Sequence, residues 1–175
     1  MIRLPDGVVT FLFTDVEGST RLWEEFPTEM RQSLRRHDQL IEQVITSNGG
    51  IVVKPRGEGD SFFTVFDRAS QAIEAAYNLQ RSLIEELWHP ATPLRVRVAL
   101  HTGEADLRDG DYYGSTVNRC ARLRSIAHGG QVVLSLATYE LVRDCLPAEV
   151  SLKDMGTHRL RDLQTSRTGV STAAF

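Results

Sequence analysis

The chain has 175 residues, of which 41% are hydrophobic, and this is enough apolar material for the core of one domain. The formal net charge of −3 offers no basic surface, so we expect no nucleic-acid partner. Cys120 and Cys145 lack the spacing of a zinc site or a disulfide framework, and no apolar run has the length of a membrane span. These totals predict a soluble, cytoplasmic domain that does not associate with a membrane.

The first predicted element is a buried strand that ends at a carboxylate. Residues 8–13 are β-branched, aromatic or leucine, and Asp15 follows where the strand meets a turn. Gly18 permits close approach of the backbone, and Ser19 and Thr20 are good N-cap residues for the next helix. Free amides at a helix start favour phosphate, and a neighbouring carboxylate favours a divalent cation. An ordinary strand end, with Asp15 only capping an Asx-turn, fits the same residues.

A long helix and a hairpin are predicted next. Apolar residues recur at steps of three and four across residues 28–48, which indicates an amphipathic helix, and a Gly-Gly pair closes it. Two short apolar runs, 51–54 and 60–66, flank a glycine-rich turn. This pattern predicts a β-hairpin whose second strand begins at a carboxylate, Asp60.

Helices and strands alternate through the middle of the chain. Residues 67–87 carry apolar side chains on one helical face, and residues 94–100 alternate between apolar and polar, as in a strand with one buried face. Residues 104–113 are polar and turn-rich, and a helix is predicted over 114–127. On that helix Asn118 and Arg122 are four residues apart and share a polar face that is separate from the apolar face.

The last part of the chain is expected to form three short elements. A strand is predicted at 131–135, a helix at 137–144, and a hairpin at 150–163 that turns around Gly156. No element is predicted for the tail, residues 164–175.

The whole pattern predicts one α/β or α+β domain. Helices alternate with strands, and no linker, repeat or low-complexity segment divides residues 1–175. We therefore expect a single domain with its core at residues 8–163 and with helices covering one sheet in a two-layer arrangement.

Two pairs of residues have the chemistry of a phosphoryl-transfer site. Asp15 and Asp60 each adjoin an apolar strand and a glycine; within about 4 Å of each other they would repel by roughly 4 kcal/mol, and a bound cation would reverse that penalty. Carboxylate pairs are typical of two-metal sites, in which the ions contact the attacking and leaving oxygens. Arg122, one turn after Asn118, would stabilise charge on the reacting phosphate, although an arginine on a helix is by default a solvated surface residue.

Three segments together resemble the catalytic core of the bacterial class III nucleotidyl cyclases. They are residues 11–20, with Thr-Asp-Val-Glu-Gly-Ser-Thr at the end, residues 49–60, and residues 111–123, with Asp-Tyr-Tyr-Gly-Ser-Thr-Val-Asn at the start. They occur in family order and extend over nearly the whole chain. The resemblance implies an α+β sandwich with a ferredoxin-like, palm-type central antiparallel sheet and helices packed on it.

The resemblance assigns metal and phosphate ligands at the end of the first strand. Asp15 and Asp60 match the two metal-binding aspartates, and the backbone carbonyl of Val16 is a further ligand. The implied cofactors are two Mg²⁺ or Mn²⁺ ions per site. The amides of residues 18–20 (Gly18, Ser19 and Thr20) would hold the phosphates.

The resemblance also assigns the residues that recognise the base. Lys54 and Asp111 match the pair that reads adenine, a donor for the ring nitrogen and an acceptor for the exocyclic amine. The family usually has three residues between this lysine and the second aspartate, whereas Lys54 and Asp60 enclose five, so strict spacing would select Arg56. We favour Lys54, because the strand before it matches and the extra residues can enlarge the turn. Glu58, in that turn, is interpreted as a solvated charge.

The remaining assignments concern the ribose, the transition state and the assembly. Asn118 matches the residue that orients the ribose, Arg122 the residue that stabilises the pentavalent phosphorus, and Arg161 a cation for the terminal phosphates. Family members form their active sites between two catalytic domains, with metals on one and the base and transition-state residues on the other. Since this chain contains both sets, the resemblance implies a homodimer with two shared sites.

The function implied by the resemblance is an adenylyl cyclase that converts ATP to 3′,5′-cyclic AMP and pyrophosphate. One alternative is a catalytically silent cyclase-like module that binds nucleotide or only dimerises. The other is a guanylyl cyclase, which would require an acidic residue at the position of Lys54. Guanine presents an oxygen and a protonated ring nitrogen where adenine presents an amine and an unprotonated ring nitrogen.

Overall fold

The apolar runs and amphipathic stripes of the sequence form strands and helices in the computed structural model, which describes residues 3–55, 59–159 and 167–174. In chain order the elements are β1 (Gly7–Val16), α1 (Ser19–Glu25), α2 (Pro27–Ser47), β2 (Ile51–Pro55), β3 (Phe62–Phe66), α3 (Ala69–Glu85), β4 (Val96–Arg108), β5 (Asp111–Tyr113), α4 (Ser115–Arg124), β6 (Val132–Ser135), α5 (Leu136–Val142), β7 (Ser151–Arg159) and β8 (Arg167–Ala174).

The strands form one sheet in the order β2-β3-β1-β4-β6-β8-β7, and β5 pairs with β4 beside it. The β4–β6 pair is parallel, and the other pairs are antiparallel. This arrangement confirms the predicted α+β fold with a largely antiparallel central sheet. It also places β1, the strand that carries Asp15, between β3 and β4 in the interior of the sheet.

Helices cover both faces of the sheet, rather than one face as the two-layer prediction supposed. Leu12 and Val16 of β1 belong to the apolar cluster under α2 and α3, whereas Phe11 and Phe13 belong to the cluster under α4. The physical reason is visible in β1, where six consecutive residues, 9–14, are buried. A strand that is buried on both sides needs a covering layer on each side.

Strand β4 is longer than predicted. It runs on through the polar segment to Arg108 and turns tightly into β5, with Asp109 at φ 51° and Gly110 at φ 74°. Two successive positive φ angles are the requirement of a type I′ hairpin turn, which Asp-Gly satisfies at low cost. The polarity of residues 104–108 therefore reflects an exposed strand end and not a loop.

The hairpin predicted at 150–163 is wrong. Strand β7 continues through Gly156 to Arg159 and pairs with β8, a strand formed by the tail for which no element was predicted. Gly156 has φ 76° and lies where the β7–β8 register shifts between Asp154 and Thr157, so it marks a β-bulge. A bulge glycine and a turn glycine give the same sequence signal.

Gly50 lies between α2 and β2, in tight contact with side chains of α2 and β3. A Cβ atom built on Gly50 would lie 2.5 Å from the ring of Phe66 and 2.8 Å from the Cγ2 of Ile45. We expect Gly50→Ala to lower the free energy of unfolding by about 1–3 kcal/mol, because buried neighbours must move to accept the methyl group. Urea denaturation measures this, and Ser47→Ala on the exposed side of α2 is the control, with a change within about 0.5 kcal/mol. Equal stabilities of the two variants would contradict the close packing.

Candidate active site

Asp15 lies near the end of β1, on the face of the sheet that α4 covers. Its partner across the β1–β4 ladder is Arg97. The Nε of Arg97 donates to Oδ1 of Asp15 at 2.8 Å and its Nη2 donates to Oδ2 at 2.5 Å. This is the bidentate pairing that a planar guanidinium forms with a carboxylate. The Asp15 side chain is only 14% exposed, so the ion pair is partly shielded from water.

A second guanidinium approaches the same carboxylate from helix α4. The Nε of Arg124 is 3.7 Å from Oδ2 of Asp15, and its Nη1 donates to the main-chain oxygen of Thr14 at 3.2 Å. Its guanidinium also lies over the ring of Phe13, at 5.8 Å from the centroid. Neither arginine was identified as a site residue from the sequence. Arg97 occupies a polar position of an alternating strand, and Arg124 belongs to none of the motifs.

Asp60 lies at the same end of the sheet as Asp15. Thr14 pairs with Phe62 across the β1–β3 ladder, and Phe62 N donates to Oγ1 of Thr14 at 3.3 Å. Asp60 stands two residues before Phe62 and is 8% exposed. Asp15 and Asp60 therefore lie at the same end of two neighbouring antiparallel strands.

The donor set at this edge fits a divalent cation such as Mg²⁺. In such a site Asp15 and Asp60 would provide carboxylate oxygens and Val16 a main-chain carbonyl, all of which are hard oxygen ligands. Among the described residues no group of three or more His, Cys, Asp or Glu side chains could hold a metal by itself. A site of two carboxylates suits Mg²⁺, because this ion commonly takes its remaining ligands from water and substrate phosphates.

The turn after Asp15 differs from the prediction in its cap. Gly18, with φ 68°, is the N-cap of α1 and makes no side-chain cap hydrogen bond, so Ser19 and Thr20 lie inside the helix and not at its cap. Glu17 secures the turn, since its N–H donates to the carbonyl of Arg95 at 2.9 Å and its Oε1 accepts from the N–H of Gly129 at 3.0 Å. These bonds tie the turn to the start of β4 and to the loop before β6.

Lys54 and Asp111 lie on β2 and β5, and strand β3 contacts both of these strands. Lys54 pairs with Phe63 across the β2–β3 ladder, just after a register shift. The ring of Phe63 lies 6.2 Å from that of Tyr112, and Oδ1 of Asp111 accepts from the N–H of Tyr112 at 2.8 Å. Burial raises the pKa of Tyr112 to about 12, so its hydroxyl stays protonated, and it donates to the carbonyl of Pro5.

Residues 56–58 and 160–166 lie outside the described residues, as does the side chain of Lys54. The predicted roles of Arg161 and Lys54, and the alternatives at Arg56 and Glu58, therefore remain predictions.

Helix α4 separates an apolar face from a polar one, as predicted. Val117, Cys120 and Leu123 are buried against the sheet, and burial raises the pKa of the Cys120 thiol, which makes it an inert packing group. Asn118 is exposed and Arg122 is half-buried. The two predicted polar residues thus lie off the packing face, whereas Arg124, at the end of the same helix, is the residue that reaches Asp15.

Within the described part of the chain, no helix has both the length and the apolar character needed to cross a membrane.

A family model described as the adenylate and guanylate cyclase catalytic domain matches residues 4–168. Among curated proteins, an uncharacterized protein of Mycobacterium tuberculosis is 48% identical over 159 residues, which cover 91% of this chain and 53% of that protein. The chain therefore spans about half the length of this relative.

Solved structures of both cyclase types are similar to this chain. An adenylate cyclase structure from Trypanosoma brucei superposes with a TM-score of 0.84 at 28% identity, covering 98% of this chain and 91% of that one. A guanylate cyclase domain from Catenaria anguillulae superposes with a TM-score of 0.80 at 18% identity, covering 96% of each chain, and this likeness concerns the fold alone.

Proposed function

Because this chain belongs to the adenylate and guanylate cyclase catalytic domain family, we propose that it converts ATP to 3′,5′-cyclic AMP and pyrophosphate. The observation that supports this most directly is the placement of Asp15 and Asp60 at one edge of neighbouring strands, in the family's order. The Trypanosoma brucei relative named as an adenylate cyclase also supports it. We place the activity in the cytoplasm, where the substrate ATP is available.

In the proposed reaction the ribose 3′-oxygen attacks the α-phosphorus, and the bond from this phosphorus to the bridging oxygen of pyrophosphate breaks. Asp15, Asp60 and the carbonyl of Val16 would hold two Mg²⁺ or Mn²⁺ ions. When bound, such ions supply Lewis-acid stabilisation and lower the pKa of the attacking hydroxyl. Arg161 and the amides of residues 18–20 would hold the β- and γ-phosphates.

Helix α4 would supply the transition-state residues. Asn118 orients the ribose, so that its 3′-oxygen lies in line with the bond that breaks. Arg122 places a permanent positive charge near the equatorial oxygens of the phosphorus, where negative charge develops as the fifth bond forms.

Lys54 and Asp111 support ATP over GTP. A lysine donates to the bare ring nitrogen of adenine and an aspartate accepts from its exocyclic amine, whereas guanine reverses both requirements. Tyr112, next to Asp111, contacts the ring of Phe63, and Phe63 is the partner of Lys54 across the β2–β3 ladder.

We further propose that the site forms between two copies of the chain. Asn118 and Arg122 lie off the face of α4 that packs on their own sheet, and Asp15 of the same copy is contacted by Arg124 instead. A second copy, in the reverse orientation, would present its α4 to Asp15 and would receive the first copy's α4 in return. The Trypanosoma brucei structure is of cyclases in their monomeric state, so the dimer is best tested over a range of concentrations.

A cyclase assay over protein concentration tests the reaction and the dimer together. With Mn²⁺ or Mg²⁺, we expect cyclic AMP from ATP, a specific activity that rises with protein concentration, and at least about tenfold less product from GTP, the loss expected for one unsatisfied polar group at the base. A preference for GTP would overturn the assignment of Lys54 and Asp111. No product from either nucleotide at any concentration would overturn the proposed reaction.

A catalytically silent module is the second candidate, and the five residues between Lys54 and Asp60 favour it. An enlarged turn between a base-reading residue and a metal ligand would leave the site able to bind nucleotide but misaligned for attack. ATP binding by calorimetry, without turnover in the assay above, would support this reading.

A further inference from the structure

Both oxygens of the Asp15 carboxylate contact a guanidinium group. Arg97 donates to both oxygens, and Arg124 lies 3.7 Å from Oδ2. The side chain of Asp15 is 14% exposed, that of Arg97 27% and that of Arg124 23%, so water screens their charges only in part. We call Arg97 and Arg124 the two-arginine clamp.

The negative charge of Asp15 is already compensated without a cation. The two-arginine clamp places two positive charges beside this one carboxylate. A divalent cation on Asp15 would therefore enter beside two guanidinium groups, and repulsion between like charges is strong where solvent screening is weak. The cation and the clamp compete for one carboxylate.

The two arginines are held differently. Within the described residues the hydrogen bonds of Arg97 go to Asp15, from its Nε and its Nη2. Arg124 is anchored by its bond to the carbonyl of Thr14 and by the ring of Phe13, and its buried Nε has no hydrogen-bond partner in the described structure. Arg97 is thus the member whose contacts a cation would replace, whereas Arg124 keeps its anchors.

We propose that the two-arginine clamp occupies Asp15 in the metal-free protein and that Arg97 releases the carboxylate when a divalent cation binds. The clamp keeps the carboxylate ordered and neutralised, and it raises the cation concentration that is needed to load the site. This inference rests on the proposed function, because it takes Asp15 as a metal ligand.

The test measures Mn²⁺ binding without nucleotide, by the electron paramagnetic resonance signal of free Mn²⁺. We expect Arg97→Gln to bind Mn²⁺ at least tenfold more tightly than the unmodified protein, equal to about 1.4 kcal/mol. Arg124→Gln should tighten binding by a smaller factor. Arg36→Gln is the matched control, because Arg36 forms a similar two-nitrogen contact with Glu86 away from the site, and its Mn²⁺ affinity should not change.

A fourth variant separates the failure of the clamp from that of the proposed function. If Asp15→Asn weakens Mn²⁺ binding and Arg97→Gln does not strengthen it, the clamp is overturned while the metal assignment stands. If Asp15→Asn binds Mn²⁺ as well as the unmodified protein, Asp15 is not a metal ligand and both are overturned.

A nuclear magnetic resonance experiment tests the clamp without any substitution, in case Arg97→Gln does not fold. The ¹⁵N-bound Nε proton of Arg97 should give a resolved, slowly exchanging signal in metal-free protein, because it is hydrogen-bonded and partly buried. Saturating Mg²⁺ should shift this signal and speed its exchange with water. A signal that Mg²⁺ leaves unchanged, under conditions where Mg²⁺ binds, would overturn the proposal.

Discussion

Asp15→Asn is expected to lower cyclase turnover by about a thousandfold or more, which corresponds to roughly 4 kcal/mol of transition-state stabilisation. Asparagine keeps the shape of the side chain but removes the charge that would hold a cation. It also leaves Arg97 and Arg124 without their counter-charge, so the edge of the sheet repels any cation that approaches. The measurement is the initial rate of cyclic AMP formation with saturating ATP and Mn²⁺.

Asp144→Asn is the matched control for this variant, because Asp144 is 92% exposed and lies outside the site. Its rate should equal that of the unmodified protein. Circular dichroism and thermal unfolding must show that Asp15→Asn is folded, since Arg97 loses a partly buried partner. A folded Asp15→Asn protein with a tenth or more of the original rate would contradict the metal assignment.

Mixing the Asp15→Asn and Arg122→Ala variants should restore cyclase activity that neither variant has alone. Asp15→Asn damages the metal half of the proposed site, and Arg122→Ala damages the half on α4. In a mixed dimer one site combines intact Asp15 with intact Arg122, and the other combines both lesions. Equal amounts should therefore recover about a quarter of the original rate, since half of the dimers are mixed and each has one intact site.

The control for the mixing experiment is a pair of variants with both lesions on the same half. Asp15→Asn mixed with Asp60→Asn leaves no intact metal half in any dimer, so the rate should stay at background. Rescue by both mixtures, or by neither, would show that the site is not divided between two copies in the way proposed.

Local patterns predicted the elements that define the site. The buried strand ending near Asp15, the second carboxylate at Asp60 and the two faces of the helix with Asn118 all follow from short-range rules. These rules work here because unbroken apolar runs mark strands buried on both faces, and apolar residues at steps of three and four mark the packed face of a helix. The prediction of the β7–β8 region failed because Gly156 serves a bulge, and glycine signals a positive φ angle without stating which structure needs it.

The sequence by itself therefore indicated the family, the α+β class and the carboxylates near the strand ends, because each motif and each periodic run consists of residues close together in the chain. Only the tertiary structure decided what the carboxylate of Asp15 contacts. Arg97 is 82 residues from Asp15 in the sequence and becomes its partner through the register of β1 with β4, while Arg124 arrives on a helix packed across that face. Strand register and helix placement are set by the packing of the whole core, and no local pattern contains them.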